Sequence, residues 1–182
     1  MLGLVFTEFV ELVEERFSPE VADAVLTEVA PANGGAYTAV GYYPHEEMVG
    51  MVVALSGRTG VPVPDLIKGF GGHLLGRFAQ AHAPMFARHD NFFDFVASID
   101  GEIHVEVRKL YDRAALPRFS VMSRDASVMK LLYQSPRALE LLAQGLLEAA
   151  AAHYGESVDV SHEPCDGPAG AGVLFTLARR GA

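Results

Sequence analysis

Seven histidines are the most plentiful candidates for metal or acid–base chemistry in this chain. They form no HExxH and no paired-histidine motif, and the single cysteine cannot build a cysteine cluster, which argues against a zinc hydrolase. The sequence also lacks a GxGxxG after a strand, a Walker phosphate loop and a GxSxG nucleophile elbow. Gly71-Gly72 lies inside a helical stripe, where close helix packing accounts for a glycine pair better than phosphate binding does. His45, His73, His82, His89, His153 and His162 read as surface, cap or core histidines. His104 is different. If its segment is helical, Gly101 and Asp100 lie three and four residues before it on the same face, and the glycine leaves clearance for something flat. A planar cofactor held by His104 would also need an apolar wall opposite, and cationic or hydroxyl groups for its carboxylates. On spacing alone, an exposed histidine on a strand is the favoured reading.

The elements that must position these residues change character along the chain. Leu2, Phe6, Phe9, Val10 and Val13 recur at helical spacing, and Ser18-Pro19-Glu20 offers a cap with proline at the first position of a second helix, to about Ala30. Pro31 to Gly35 is a turn cluster; Pro44 with Glu46 and Glu47 starts a third helix, ending near Ser56-Gly57. After Pro62 and Pro64 a fourth helix carries Leu66, Ile67, Phe70, Leu74, Leu75 and Phe78. Over 91–111 two patterns coexist. Phe92, Val96, Ile99, Ile103, Val107 and Leu110 follow one long helical stripe, yet Glu102 to Arg108 alternates after Asp100-Gly101 as a hairpin strand does. Residues 118–122 and 128–133 then read as a strand pair around Ser123-Arg124-Asp125. Ser135-Pro136 is expected to cap a helix of Leu139, Leu142, Leu146 and Ala150 that ends near Gly155. Two last strands, 158–162 and 173–177, flank a loop rich in Gly and Pro.

Composition limits the function classes. At about 100 to 200 residues per domain, 182 residues predict a single domain. Half of the residues are hydrophobic and 20% charged, so the chain folds. Fourteen Lys plus Arg against 23 Asp plus Glu give a net charge of −9, which repels nucleic-acid phosphate and anionic lipid alike. Lone Cys165 excludes an internal disulfide and fits a reducing compartment, so the chain is read as cytosolic. Glu8, Glu11, Glu14 and Glu15 mark the N-terminus as an amphipathic helix rather than a targeting segment, and no apolar run is long enough for a membrane span.

Tyr133-Gln134-Ser135-Pro136-Arg137 resembles the Tyr-x-Ser-x-Arg signature of the haem nitric oxide/oxygen binding (H-NOX) family, related to the haem domain of soluble guanylate cyclase. The resemblance extends in order over essentially the whole chain: Met1 to Val5, Ile103-His104 with Lys109-Leu110-Tyr111, Leu116-Pro117-Arg118, and Gly145-Leu146-Leu147 leading to His153-Tyr154-Gly155. It implies an α+β fold: a mainly helical N-terminal part, then a small antiparallel four-stranded sheet with one packed helix, and haem b between them. It implies one sensor domain over 1–182, with a helical part at about 1–60 and a haem-ligating helix and sheet part at about 61–182. It places His104 on a helix as the proximal ligand of the haem iron, against the strand pattern. Tyr133, Ser135 and Arg137 would hold the haem propionates, chemistry that two hydroxyls and a guanidinium fork can supply. Pro117 resembles the proline that presses on the haem.

Positions similar to the family's distal pocket read Val5, Phe9, Leu74, Phe78, Leu142 and Leu146, with Leu142 where oxygen-binding members carry tyrosine. None of these offers a hydrogen bond to bound oxygen, whereas NO and CO need none. The resemblance therefore implies a cytoplasmic sensor, not an enzyme, that binds nitric oxide and carbon monoxide and signals to a separate effector through release of His104. By analogy that effector is a histidine kinase or a cyclic-di-GMP enzyme. Only Cys165 stands where some members hold zinc on several cysteines, so no zinc is expected. A haem enzyme of peroxidase or NO dioxygenase type would want distal acid–base residues. A haem-free binding module for hydrophobic ligands on the same fold is the other alternative.

Overall fold

The computed structural model describes residues 1–111, 113–167 and 170–181. The N-terminal half is helical: α1 Gly3–Arg16, α2 Pro19–Val29, α3 His45–Thr59 and α4 Val63–Ala81. Ser18 caps α2 as its sequence predicts, its hydroxyl accepting from the Val21 amide at 3.3 Å. The third helix runs past Ser56-Gly57 and stops where Gly60 turns left-handed, with φ 72°. A short α5, Ala83–Phe86, leads to α6 Phe92–Ser98, a π turn Ile99–Ile103 and α7 His104–Leu110. The junction residues all keep right-handed helical angles, so 92–110 is one helix with a wide turn inside it. The strand reading of Glu102 to Arg108 fails: Phe92 and Val96 are buried and Ile99 and Ile103 pack against the sheet core, and that apolar stripe outweighs the alternation.

Strands β1 Arg118–Arg124, β2 Val128–Gln134, β3 Val158–Gly167 and β4 Gly170–Arg179 form an antiparallel sheet in the order β1-β2-β4-β3, with α8 Glu140–His153 between β2 and β3. The α+β class and four-stranded sheet match expectation; three local features differ. β1 continues past Met122 through a bulge between Val121 and Ser123. β3 and β4 are longer than 158–162 and 173–177, because much of the Gly/Pro-rich stretch pairs, Pro164 with Val173 and Asp166 with Ala171. β3 is an edge strand, where a proline's missing N–H costs no ladder bond. Pro168 and Ala169 of that stretch lie outside the described residues. Ser135-Pro136 also starts no helix. Ser135 Oγ accepts from the Arg137 amide at 3.2 Å, and Ala138 adopts φ 45°, so the chain makes a turn and helical geometry begins only at Glu140.

Two apolar clusters form. One joins Phe6, Phe9, Val13, Met51, Leu55 and Phe70 from α1, α3 and α4; the other joins Phe92, Phe93, Leu131, Leu147, Phe175 and Leu177 from α6, α8 and the sheet. Phe78 and Leu146 pack against both. The seam between the clusters is the crossing of α4 and α8. A Cβ on Gly71 would lie 2.5 Å from the Leu142 carbonyl oxygen and 2.8 Å from the Leu146 nitrogen, and one on Gly145 would overlap the Lys68 carbonyl. The two backbones therefore touch, the close-packing role expected for the Gly71-Gly72 pair, carried by Gly71.

Gly71→Ala should destabilise the protein by about 2 kcal/mol and lower Tm by roughly 4–8 °C, because no rotamer change relieves a clash with backbone. Gly76→Ala, where an added Cβ meets nothing within 4 Å, should be neutral or up to about 1 kcal/mol stabilising. Thermal melts that rank the two variants equally would exclude backbone contact at the crossing.

Candidate functional site

His104 sits at the junction of the π turn and α7. Its amide donates to the Ile99 carbonyl, the i→i−5 bond of a π turn. The helix upstream is anchored by Asn91, whose side-chain oxygen accepts from the Asp94 amide at 3.0 Å. The His104 side chain is buried, and its Nδ1 lies 3.1 Å from Asp100 Oδ1. With the proton on Nδ1 shared with this carboxylate, the lone pair falls on Nε2. Burial pushes the His104 pKa down; Asp100 opposes the shift and Arg108 adds to it. The ring is therefore neutral at pH 7, the state a metal ligand needs. Asp100 is a residue that the spacing placed on this face, but as a neighbour of clearance rather than as a partner of the ring.

The ring of Phe119 packs near that of His104, with centroids 5.9 Å apart, and Phe119 in turn lies 5.2 Å from Tyr133. Phe119 is a site residue that sequence reasoning missed; its only local signal was the alternation of β1. Tyr133 is buried near the end of β2, and burial raises its phenol pKa, so it remains a donor at neutral pH. Ser135, two residues on, works against that rise. Arg137 donates from a guanidinium nitrogen to the Ala115 carbonyl at 3.0 Å, two residues before Pro117. Pro117 is half-buried immediately before β1. His104, Pro117, Tyr133, Ser135 and Arg137 are thus brought to one region by α7, the β1 entry and the turn after β2. A guanidinium carries five N–H donors, and the bond to Ala115 uses one.

The six apolar positions gather on α1, α4 and α8. Phe9 and Leu74 are buried, while Val5, Phe78, Leu142 and Leu146 are half-buried against the same helical cluster. A polar clamp holds α1 to α4 beside them. Glu8 is buried, only 7% exposed, and accepts from Arg77 Nε at 2.8 Å, while Arg77 also reaches Glu11 at 3.0 Å. His73 Nε2 lies 3.3 Å from the same Glu8 oxygen. The sequence marks these glutamates only as the acidic residues of an amphipathic helix; Glu8 and Arg77 are 69 residues apart, beyond any local pattern.

Among the described residues no three His, Cys, Asp or Glu side chains converge as a metal cage. On the helix face beside His104, a Cβ on Gly101 would meet no atom within 4 Å, which is the clearance anticipated there.

The fold and much of the sequence pattern recur in known proteins. The structure superposes on a Fe(II) unliganded H-NOX protein from K. algicida with a TM-score of 0.91 and 31% identity, covering 100% of this chain and 98% of that one. An H-NOX protein from S. oneidensis in the Fe(II)NO ligation state matches at TM-score 0.89 and 28% identity, with 100% of both chains covered. The H-NOX domain from Shewanella oneidensis in the Fe(II)CO ligation state matches at TM-score 0.88 and 27% identity, again covering 100% of both chains. No curated protein matches the chain. The family model for haem-NO-binding proteins matches residues 2–162, and the chain accordingly belongs to the haem-NO-binding, or H-NOX, family.

Proposed function

We propose that this protein is a haem-based sensor of nitric oxide that also binds carbon monoxide and reports to a separate effector protein. The observation that carries the reading is His104: a buried, neutral histidine whose Nδ1 is engaged by Asp100, in a chain whose relatives were solved in Fe(II), Fe(II)NO and Fe(II)CO states. The donor set suits haem b. His104 Nε2 would ligate the iron; Tyr133, Ser135 and Arg137 would take the propionates; Pro117 would press on the ring. When bound, the haem would supply a ferrous centre able to take up a diatomic gas.

The chain's own residues do the rest. Val5, Phe9, Leu74, Phe78, Leu142 and Leu146 exclude water and offer no hydrogen bond, which favours NO and CO over oxygen by omission. The same lack of distal acid–base groups speaks for a sensor and against a haem enzyme. Without the His104 link the 92–110 helix would still be held by its packing, by Asp100 on the Phe119 amide, by Asp94 on Arg124 of β1, and by Glu156 at the Phe92 amide. The difference an effector can distinguish would therefore lie at the His104 end. That effector, by family resemblance, is a histidine kinase or a cyclic-di-GMP enzyme. A net charge of −9 works against nucleic acid or an anionic membrane surface as partner, and a cytoplasmic location is our reading of the lone Cys165; among the described residues no helix is long and apolar enough to cross a membrane.

The ferrous absorption spectrum with and without NO tests the reading directly: a shifted Soret band is expected, and a reconstituted protein that stays colourless would overturn it. His104→Gly should lose haem on gel filtration, or keep it only with added imidazole. Normal haem content with an unchanged ferrous spectrum in that variant would remove His104 from the site. In air the ferrous protein should show no lasting ligand-bound spectrum; a persistent one would mean that a donor reaches the gas past Leu142 and Leu74. Arg137→Ala should weaken haem retention more than Ser135→Ala, by about 1.5–3 kcal/mol against about 0.5–1.5, since a charge-assisted pair is lost in the first and a neutral donor in the second. Haem transfer to an acceptor protein measures both, and the reverse order would show that Ser135 matters chiefly through the turn it closes onto the Arg137 amide.

A further inference from the structure

We infer that Asp100 is a positioning residue that couples His104 to the first strand of the sheet, an inference that rests on the reading of His104 as the haem ligand. One carboxylate oxygen carries the coupling: Asp100 Oδ1 lies 3.1 Å from His104 Nδ1 and accepts from the Phe119 amide at 3.3 Å. β1 is an edge strand, so the amides on its outer side have no neighbouring strand to bond. At Phe119 that vacancy is filled from the helix by Asp100. The same residue thus closes a sheet edge and orients a ring one turn further along its own helix.

Two consequences follow from the shared oxygen. A carboxylate accepting the Nδ1 proton makes Nε2 a stronger donor to a metal and fixes the plane of the imidazole. When the ring turns or withdraws, Oδ1 loses one donor and its remaining bond, to the Phe119 amide, tightens and re-centres. The disturbance then enters β1 one residue after its first, beside Pro117, and reaches β2 where Phe119 pairs with Tyr133. Movement of the ligand is in this way delivered to Pro117 and to Tyr133 without any motion of the whole helix. The two states are discrete, since Oδ1 has either two donors or one.

The test uses Asp100→Ala and Asp100→Asn in the reconstituted ferrous protein, with resonance Raman for the iron–histidine stretch and amide hydrogen exchange at Phe119. Asp100→Ala is expected to lower the stretching frequency, and Asp100→Asn, which keeps a neutral acceptor, to lower it less. Phe119 exchange should accelerate about three- to tenfold in Asp100→Ala, in the haem-free protein as well. NO should alter Phe119 exchange in the unsubstituted protein and leave it unaltered in Asp100→Ala. An unchanged stretch in both variants, or a Phe119 amide indifferent to Asp100, would overturn the inference. If Asp100→Ala retains no haem, the Asp100→Asn frequency decides. An unsubstituted ferrous protein with no iron–histidine band refutes the ligand reading itself, and with it the coupling; slow Phe119 exchange in the apoprotein would then leave Asp100 as a sheet-edge residue only.

Discussion

The crossing of α4 and α8 is the constraint from which the rest of the site follows. Gly71 and Gly145 bring the two backbones into contact, which fixes the helices' separation more tightly than side-chain packing does. Leu74 and Phe78 rise from one helix, Leu142 and Leu146 from the other, so four of the six residues proposed to face the gas are set by this one contact. α1 adds Val5 and Phe9 and is held to α4 by the buried Glu8 and Arg77. Removing Arg77 would leave the buried Glu8 carboxylate with only His73 Nε2, 3.3 Å away, which makes this cluster a lock on geometry more than a source of net stability.

The proximal side obeys a different rule. There the helix 92–110 departs from regular α geometry one turn before the histidine, and π turns inside helices are found mostly at functional sites because they re-aim the residues that follow. The wide turn puts Asp100 within hydrogen-bond distance of His104 Nδ1 and leaves Gly101 facing open space. It also lets Ile99 and Ile103 reach the sheet core, so the irregularity is braced from one side only. A helix braced in this way has room to change register on its solvent side, whereas α4 and α8, clasped by backbone contact, do not.

The sequence disclosed what repeats and concealed what is singular. The stripe Leu66, Phe70, Leu74 in α4 was legible because an amphipathic helix states its face in every turn. Over 102–108 the π turn breaks that period, and the residual alternation has the pattern of a strand. Ser135-Pro136 misled because a serine accepting a nearby amide serves a helix cap and a simple turn alike; what separates them, the left-handed Ala138, has no sequence mark. β3 and β4 were shortened because Gly, Pro and Asp read as loop, although an edge strand tolerates them. Phe119 and the Glu8 to Arg77 pair were out of reach for one reason: each depends on a partner distant in the chain. The site's polar residues were legible as a motif, while the partners that orient them were not.

A sensor must turn a small local event into a change that a protein partner can feel, and a ligand shifts an equilibrium only by its difference in affinity for the two states. Close-packed cores resist continuous deformation, so the change has to occur where two cores meet rather than within one. Phe78 and Leu146 lie at that meeting, touching the helical cluster and the sheet cluster at once. On the opposite side the row of rings from His104 through Phe119 to Tyr133 spans the join between helix and sheet. A disturbance at either set of residues is felt by both cores, so a switch built on this fold would act at that join, where the packing of one cluster constrains the packing of the other.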